Sequence, residues 1–375
     1  MDVLSPETQP FLFGHDAEEK TLAELWARGT LAGSWLFCGP KGVGKATLAY
    51  RLARFVLAQS SQEKGLFGEE PAPLSMDMPV SHPVFRAVSL RAHPGLKVIE
   101  RVLKDDELKS RQALIESGKA LDPEAEKERK RFDEIRVSDI REAGDFLRRT
   151  SAAGGWRVMI IDSADEMNTN AANALLKSLE EPPSRTIIVL VSHSPGRLLP
   201  TIRSRCRRLT LKPLKKDVLA EFLMQNRPDR TEDEINALSL LADGSPGLAL
   251  TLADGGGLEL FRGILELFRR FPDFSIPALY DFAEKTLKDK EKMRLAQSLL
   301  LQWLVRTGIS LSAGDAAEHI LPEEGEIIRR IGEVLAPVDL MEISEEIRGI
   351  FQDIDLDQKQ TFVNACLKIQ KEGEK

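Results

Sequence analysis

The sequence has 375 residues, 42% of them hydrophobic and 30% charged, which is enough for about two to three domains with well-packed cores. Its formal net charge of −7 argues against a protein that coats nucleic acid nonspecifically, because such affinity comes from neutralising phosphates. The three cysteines, Cys38, Cys206 and Cys366, exclude a four-thiolate zinc site and are typical of reduced thiols. Since the N-terminus has no signal-peptide pattern and no apolar run approaches the roughly 20 residues that cross a bilayer, we expect a cytoplasmic protein with no membrane partner.

An amphipathic helix is predicted around residues 21–26, and the apolar run at residues 34–38 is typical of a buried strand. A glycine-rich segment follows this strand directly. It consists of Gly39, Pro40, Lys41, Gly42, Val43, Gly44, Lys45, Ala46 and Thr47. A helix is predicted next, because four apolar side chains recur there at helical spacing: Leu48, Leu52, Phe55 and Val56.

The glycine-rich segment fits the phosphate-binding pattern G-x-x-x-x-G-K-[ST] at every position except the last. Backbone N–H groups of such a loop wrap the phosphates, and Lys45 is in the position that reaches the β- and γ-phosphates. The last position normally holds Mg²⁺ through a hydroxyl, but here it is Ala46, and the hydroxyl of Thr47 comes about 100° further around the helix. We therefore predict a site for ATP or ADP whose dependence on Mg²⁺ is weak. The alternative, a chance glycine turn, does not account for a strand before the loop and a helix after it.

The region between this helix and the next strands contains a polar loop and a charged insertion. Residues 60–80 are rich in glycine and proline, which predicts a surface loop, and a strand is predicted at residues 96–100. Residues 101–134 are expected to be an exposed helical insertion or a disordered loop, because little apolar surface offsets the entropy of ordering them. Residues 135–147 predict a helix with three side chains facing inward: Ile140, Phe146 and Leu147.

Two further apolar runs, at residues 158–162 and 186–191, predict strands that end beside polar residues. The first ends in Asp162, where a P-loop protein places a second carboxylate near the metal; a strand-end cap is the alternative role. The residue after it is Ser163. An active ATPase of this kind has a glutamate there to polarise the attacking water.

A fifth strand is predicted at residues 207–211, and the five strands alternate with helices. This alternation predicts a parallel sheet with helices on both faces. Ligands of such folds lie beyond the carboxyl ends of the strands, where Gly39, Asp162 and Ser192 all fall. Ser192 or its neighbour His193 could sense a γ-phosphate there, and an ordinary turn is an equal alternative.

No strand is predicted after residue 213, which divides the chain into regions of different character. We expect a P-loop domain over residues 1–212 and a lid of about three short helices over residues 213–253. The glycines within residues 254–257 predict a flexible break and a domain boundary. An all-α domain is expected over residues 254–375, with amphipathic helices at 258–271, 276–287, 290–307, 324–335, 340–351 and 358–370.

Three further segments carry a resemblance to a known family. The tripeptide Ser204-Arg205-Cys206 resembles the Ser-Arg-Cys signature of clamp-loader subunits within the AAA+ ATPases. Residues 173–183 and 244–250 resemble a helix and turn of the same subunits and the start of their lid helix. The combination is most similar to the delta prime family of bacterial DNA polymerase III. The resemblance is only architectural after residue 250 and is dense over two ranges: 11–60 and 135–250.

This resemblance implies an AAA+ P-loop domain, a helical lid and an all-α collar through which subunits assemble. The implied partners are delta-type and tau/gamma-type subunits in a pentameric clamp loader, and with them the DNA polymerase III holoenzyme, the sliding clamp and primer-template DNA. Better-known members of the family also carry a four-cysteine zinc module. Three cysteines cannot form one, so neither zinc nor another bound metal is expected. The alternative for the helical tail is a self-contained domain.

The resemblance also implies a subunit that does not hydrolyse ATP. Ala46 removes the metal ligand, Ser163 removes water activation, and Gly247 stands where active members have a nucleotide-sensing arginine in the lid. In the family, the arginine at the position of Arg205 is a finger that acts in trans on a neighbour's ATP. A basic surface residue is the alternative role for Arg205. The competing functions are an ATP-hydrolysing AAA+ motor, such as a clamp-loader ATPase or a helicase loader, and a P-loop kinase.

Overall fold

The computed structural model describes residues 5–59, 75–104, 106–107, 109–110, 131–148, 155–273, 275–287, 290–314, 318–352 and 358–374. The chain divides into two compact units, Met1–Leu214 and Lys215–Lys375. Each unit is described by itself below. Most of the predicted loop at residues 60–80 and of the predicted insertion at residues 101–134 lies outside the described residues.

The first unit is an α/β domain. Its strands are β1 (Gly33–Cys38), β2 (Leu96–Ile99), β3 (Arg157–Ile161), β4 (Thr186–Ser192) and β5 (Arg207–Thr210). Its helices are α1 (Asp16–Ala27), α2 (Lys45–Gln59), α3 (Pro83–Ser89), α4 (Val137–Arg148), α5 (Thr169–Glu180) and α6 (Pro200–Arg203). The five predicted strands are confirmed, with every end within one residue of its predicted position.

The strands form one parallel sheet in the order β2-β3-β4-β1-β5. Side chains alternate between its faces, so Phe37 of β1 joins a core with α2, whereas Leu36 joins a second core with α4 and α5. The central strand β4 is buried along its whole length, as expected where helices cover both faces. The predicted parallel sheet with helices on both faces is therefore confirmed.

Two predicted helices pack against the sheet as expected, and a third helix was not predicted. In α2 the apolar side chains predicted to face inward are all buried: Leu48, Leu52, Phe55 and Val56. In α4, Ile140 and Leu147 are buried and Phe146 is half-buried against the same core. Helix α3 was not predicted. It is short, begins with proline, and is capped by His82 Nδ1, which accepts a hydrogen bond from the backbone of Val84 at 3.2 Å.

The second unit is all-α in its described residues. Its helices are α7 (Lys216–Asn226), α8 (Glu232–Leu241), α9 (Pro246–Asp254), α10 (Gly257–Phe268), α11 (Ile276–Thr286), α12 (Lys290–Ala313), α13 (Glu324–Gly332), α14 (Pro337–Gln352) and α15 (Gln358–Gly373). Several helix starts follow from side-chain caps, including a capping box between Thr231 and Glu234 and a serine cap at Ser245. Among the described residues, no helix is both long and apolar enough to span a membrane.

The predicted break at residues 254–257 is instead a tight turn between two helices. Helix α9 ends at Asp254, which pairs with Arg227, and α10 begins at Gly257. A Cβ on Gly257 would lie 2.5 Å from Cδ2 of Leu252, so this glycine permits close packing. A run of glycines occurs both in flexible linkers and at close contacts between helices. The sequence pattern alone therefore does not distinguish the two. The separation of a lid at residues 213–253 from a collar at residues 254–375 stays a prediction.

We predict that Leu190→Ala destabilises the first unit by about 2–5 kcal/mol, because it leaves a cavity in the central strand of the sheet. Leu190 is fully buried, whereas Leu90 is 78% exposed. The matched control Leu90→Ala should change the free energy of unfolding by less than about 0.5 kcal/mol. Urea denaturation followed by circular dichroism measures both. Equal losses in the two variants would contradict the sheet position of Leu190.

Candidate functional site

The glycine-rich loop joins the carboxyl end of β1 to the start of α2. Gly39, Gly42 and Gly44 have φ angles of 147°, 78° and 108°, which favour glycine over other residues. At Gly39 a Cβ would also lie 2.3 Å from the carbonyl oxygen of Leu211, so this position needs glycine for space as well. A loop of this kind directly before a helix N-terminus fits the phosphates of a nucleotide, since both present backbone N–H groups to an anion.

Lys45 is the first residue of α2 and is only 6% exposed. Its Nζ donates to the carbonyl oxygens of Gly39, at 2.8 Å, and Pro40, at 2.6 Å. Burial lowers the pKa of Lys45 to about 8, and the carboxylates of Asp162 and Asp165 oppose this shift without cancelling it. The direct partners of the ammonium are thus neutral oxygens. An anionic phosphate would be a stronger partner for it.

Asp162 follows β3 at the same edge of the sheet, and its backbone N–H donates to the carbonyl oxygen of Ile99 at 2.8 Å. Burial raises the pKa of the Asp162 carboxyl, Glu100 adds to the rise, and Lys45 opposes it. The next residue, Ser163, is left-handed with φ 55°, so the chain turns sharply there. The structure brings Asp162 and Lys45 together. A role for Asp162 toward a bound nucleotide stays a prediction.

A second carboxylate, Asp165, was not singled out in the sequence. Its side chain is fully buried; Oδ1 accepts from the backbone N–H of His193 at 3.2 Å, and Oδ2 lies 3.1 Å from Nε2 of the same histidine. Ser192 is buried at the end of β4, and its Oγ accepts from the backbone of Ser194 at 3.2 Å. Ser192 and His193 are therefore both part of an ordered turn, which is held by Asp165 from the short helical turn after the neighbouring strand β3. Asp165 lies four residues after the end of β3, where no sequence pattern indicates this contact.

Ala46 and Gly247 are two of the positions at which the sequence predicts a loss of hydrolysis. Ala46 is the second residue of α2, and the hydroxyl of Thr47 follows about 100° further around that helix. In the second unit, Gly247 lies in the first turn of α9, where its carbonyl accepts from Oγ1 of Thr251 at 2.9 Å. Across the described ranges, no group of three or more His, Cys, Asp or Glu side chains is placed to hold a metal ion.

Arg205 lies at the opposite edge of the sheet from the glycine-rich loop. It precedes β5, whose last residue, Thr210, is the register partner of Cys38 beside the loop. Arg205 lies in the turn between α6 and β5, and the four residues of β5, which span about 13 Å, separate that turn from the end of the sheet beside Gly39. The Arg205 side chain is 35% exposed, and its Nη2 lies 2.7 Å from Oε1 of Glu180. The structure thus brings Lys45 and Asp162 together and keeps Arg205 apart from both.

Comparison with known proteins gives consistent matches. The model of the family described as DNA polymerase III, delta subunit, matches residues 14–215. DNA polymerase III subunit delta' of Pseudomonas aeruginosa is 32% identical over 244 residues, which are 65% of this chain and 62% of that protein. The delta' subunit of Escherichia coli is 39% identical over 32% of this chain and 35% of its own length. DNA polymerase III subunit tau of Bacillus subtilis is 23% identical over 67% of this chain and 38% of its own length. Each match therefore spans less than two thirds of the relative.

We predict that the affinity for ADP is constant below about pH 8 and falls above it. Lys45 has a pKa of about 8 in the free protein, and contact with phosphates raises it. Above pH 8 the free lysine is neutral and must take up a proton on binding, which lowers the affinity by up to about tenfold per pH unit. Isothermal titration calorimetry from pH 7 to 9.5 measures this. Lys45→Arg is the control: arginine stays charged, so a fall of the same steepness in that variant would contradict the assignment to Lys45.

Proposed function

Because this chain belongs to the DNA polymerase III delta-subunit family, we propose that it is a delta prime-type subunit of the clamp loader that places the sliding clamp on primed DNA. Its own nucleotide site binds ATP or ADP and does not hydrolyse it, or does so only weakly. Arg205 acts in trans on the nucleotide of a neighbouring subunit. The proposed partners are delta-type and tau/gamma-type subunits in a pentamer, the DNA polymerase III holoenzyme, the sliding clamp and primer-template DNA.

One observation carries this proposal: the glycine-rich loop and Arg205 lie at opposite edges of the same parallel sheet. Arg205 follows α6 and precedes β5, whereas the loop follows the carboxyl end of β1. The length of β5 separates an arginine at that position from its own loop, which favours phosphates outside this chain as its partner. A guanidinium stabilises the charge that develops on a transferred phosphoryl group, so a half-exposed Arg205 suits a site on another subunit.

The loop retains what binding requires and lacks what hydrolysis requires. Gly39, Gly42, Gly44 and Lys45 would hold the phosphates, because the glycines free the backbone and the lysine is a buried cation with only neutral direct partners. Mg²⁺, where it accompanies a nucleotide, would supply charge neutralisation, but Ala46 offers it no oxygen. Ser163 has no carboxylate to polarise a water. These features support binding without turnover.

The alternative function is an ATP-hydrolysing AAA+ motor, either the motor subunit of the same loader or a helicase loader. The retained loop and Asp162 are the observations in its favour. The purified chain, assayed alone with Mg-ATP and primed DNA, distinguishes the two functions. Turnover at the rate of ordinary AAA+ ATPases would favour the motor, and its absence supports the non-hydrolysing subunit.

We predict that Ala46→Thr makes nucleotide binding depend on Mg²⁺ but does not restore turnover. The new hydroxyl supplies the metal ligand, while water activation at Ser163 and the lid arginine at Gly247 are still missing. Titration calorimetry with Mg²⁺ and with EDTA measures the first effect, and a coupled phosphate-release assay measures the second. In the unmodified protein, EDTA should leave the affinity nearly unchanged. Full ATPase activity from this one substitution would show that Ser163 does not limit hydrolysis.

We predict that Arg205→Ala sharply lowers the DNA- and clamp-stimulated ATPase of a reconstituted loader while the complex still assembles. Arginine fingers contribute about 10³–10⁵ to turnover at the site they face. The stability of the isolated chain should change by less than about 1 kcal/mol, because the side chain is outside the core and its ion pair with Glu180 is exposed. Arg205→Lys should rescue poorly, since an ammonium lacks the planar fork that binds two phosphate oxygens. A wild-type ATPase rate in the Arg205→Ala loader would contradict a role of Arg205 in trans.

A further inference from the structure

Arg205 is held at two points within its own chain. Nη1 donates to the carbonyl oxygen of Thr201 at 3.0 Å, and Nη2 lies 2.7 Å from Oε1 of Glu180. Four arginines occur between residues 203 and 208, and within the described part of the chain Arg205 alone among them forms an ion pair. They are Arg203, Arg205, Arg207 and Arg208. Among these four arginines, the one with an ion pair is thus the one that the proposed function uses.

The two contacts involve the terminal nitrogens that a phosphate would also use. A bidentate contact with phosphate uses two N–H groups of the guanidinium fork, and every such arrangement includes at least one terminal nitrogen. Nη1 of Arg205 already donates within the chain, and Nη2 is in an ion pair with Glu180. The Glu180 carboxylate also offsets the positive charge that a neighbouring phosphate would attract. Glu180 therefore competes with a neighbouring subunit's phosphates for Arg205.

The carboxylate of Glu180 is positioned by a well-defined helix. Glu180 is the last residue of α5, whose first turn is capped by Asn168 Oδ1, a hydrogen-bond acceptor for Ala171 N at 2.9 Å. Buried residues of α5, including Leu175 and Leu179, pack in the core under the sheet. The backbone that carries Glu180 is therefore fixed, and only its side chain has to move when Arg205 is released.

We propose that Glu180 is the resting counter-ion of Arg205, which the phosphates of a neighbouring subunit's nucleotide displace. This inference rests on the proposed function of Arg205 in trans. An exposed ion pair of this kind is weak, so phosphates that carry several charges can outcompete it. Glu180 is accordingly a positioning residue. It lowers the availability of Arg205 until a nucleotide is present across the interface.

The first test uses the isolated protein and the arginine-specific reagent phenylglyoxal, with peptide mass spectrometry to follow Arg205. Glu180→Gln should raise the rate of Arg205 modification about two- to fivefold, the range expected for loss of an exposed ion pair. Glu181→Gln is the matched control, because Glu181 is exposed, lies next in sequence and makes no ion pair within the described residues. Equal modification rates in the two variants would overturn the counter-ion role.

The second test uses the reconstituted loader with ATP. Glu180→Gln should lower the KM for ATP about two- to fivefold with kcat nearly unchanged, because removal of a competitor strengthens ground-state and transition-state binding equally. Glu181→Gln should leave both constants unchanged, and Glu180→Asp, which keeps the charge on a shorter side chain, should fall between. If Arg205→Ala impairs the loader but Glu180→Gln and Glu181→Gln have the same KM for ATP, this inference is wrong and the proposed function stands. If Arg205→Ala has no effect, the proposed function is wrong instead.

Discussion

The parallel pairing of the strands determines where the candidate functional residues of the first unit lie. Because these strands run in one direction, their carboxyl ends share one edge, which carries the glycine-rich loop, Asp162 and Ser192. The same pairing puts the amino end of β5, and with it Arg205, at the other edge. One sheet therefore separates the residue that would act on phosphates from the loop that would hold them.

The two cations at these edges are stabilised in opposite ways. Lys45 is buried beside neutral carbonyl oxygens, and its pKa falls because burial outweighs the nearby carboxylates. Arg205 is half-exposed and pairs directly with Glu180. Burial destabilises the charged form of Lys45 when no anion is bound, which favours the binding of an anion. Solvent and the Glu180 carboxylate stabilise the charge of Arg205 without a bound anion. Lys45 thus suits a resident ligand, and Arg205 suits a transient contact.

The sequence was sufficient for the sheet, the order of its strands along the chain, and the residues of the loop. Apolar runs and glycine spacing are local signals, and the strands and the loop are determined mainly by such local sequence. Asp165, His193 and Glu180 depend on contacts between segments far apart in sequence, with Asp165 meeting His193 across two strand ends and Glu180 meeting Arg205 across two helix ends. No local pattern marks such pairs. The prediction of a flexible break from the glycines near residue 255 was wrong for a related reason, since the role of these glycines depends on the packing of α9 against α10.

A glycine-rich loop with its lysine does not by itself establish ATP hydrolysis, because the fold also needs the loop. Gly39 has no room for a Cβ against the carbonyl of Leu211, and the N–H of Leu211 donates to the carbonyl of Cys38 at 2.8 Å. The end of β5 is thus held directly against the start of the loop. A chain that loses a hydroxyl at position 46 keeps these contacts intact, because Ala46 takes no part in them. The conformation of the loop therefore does not depend on a hydroxyl at position 46. Whether such a loop supports hydrolysis depends instead on the residues that would bind the metal and activate water.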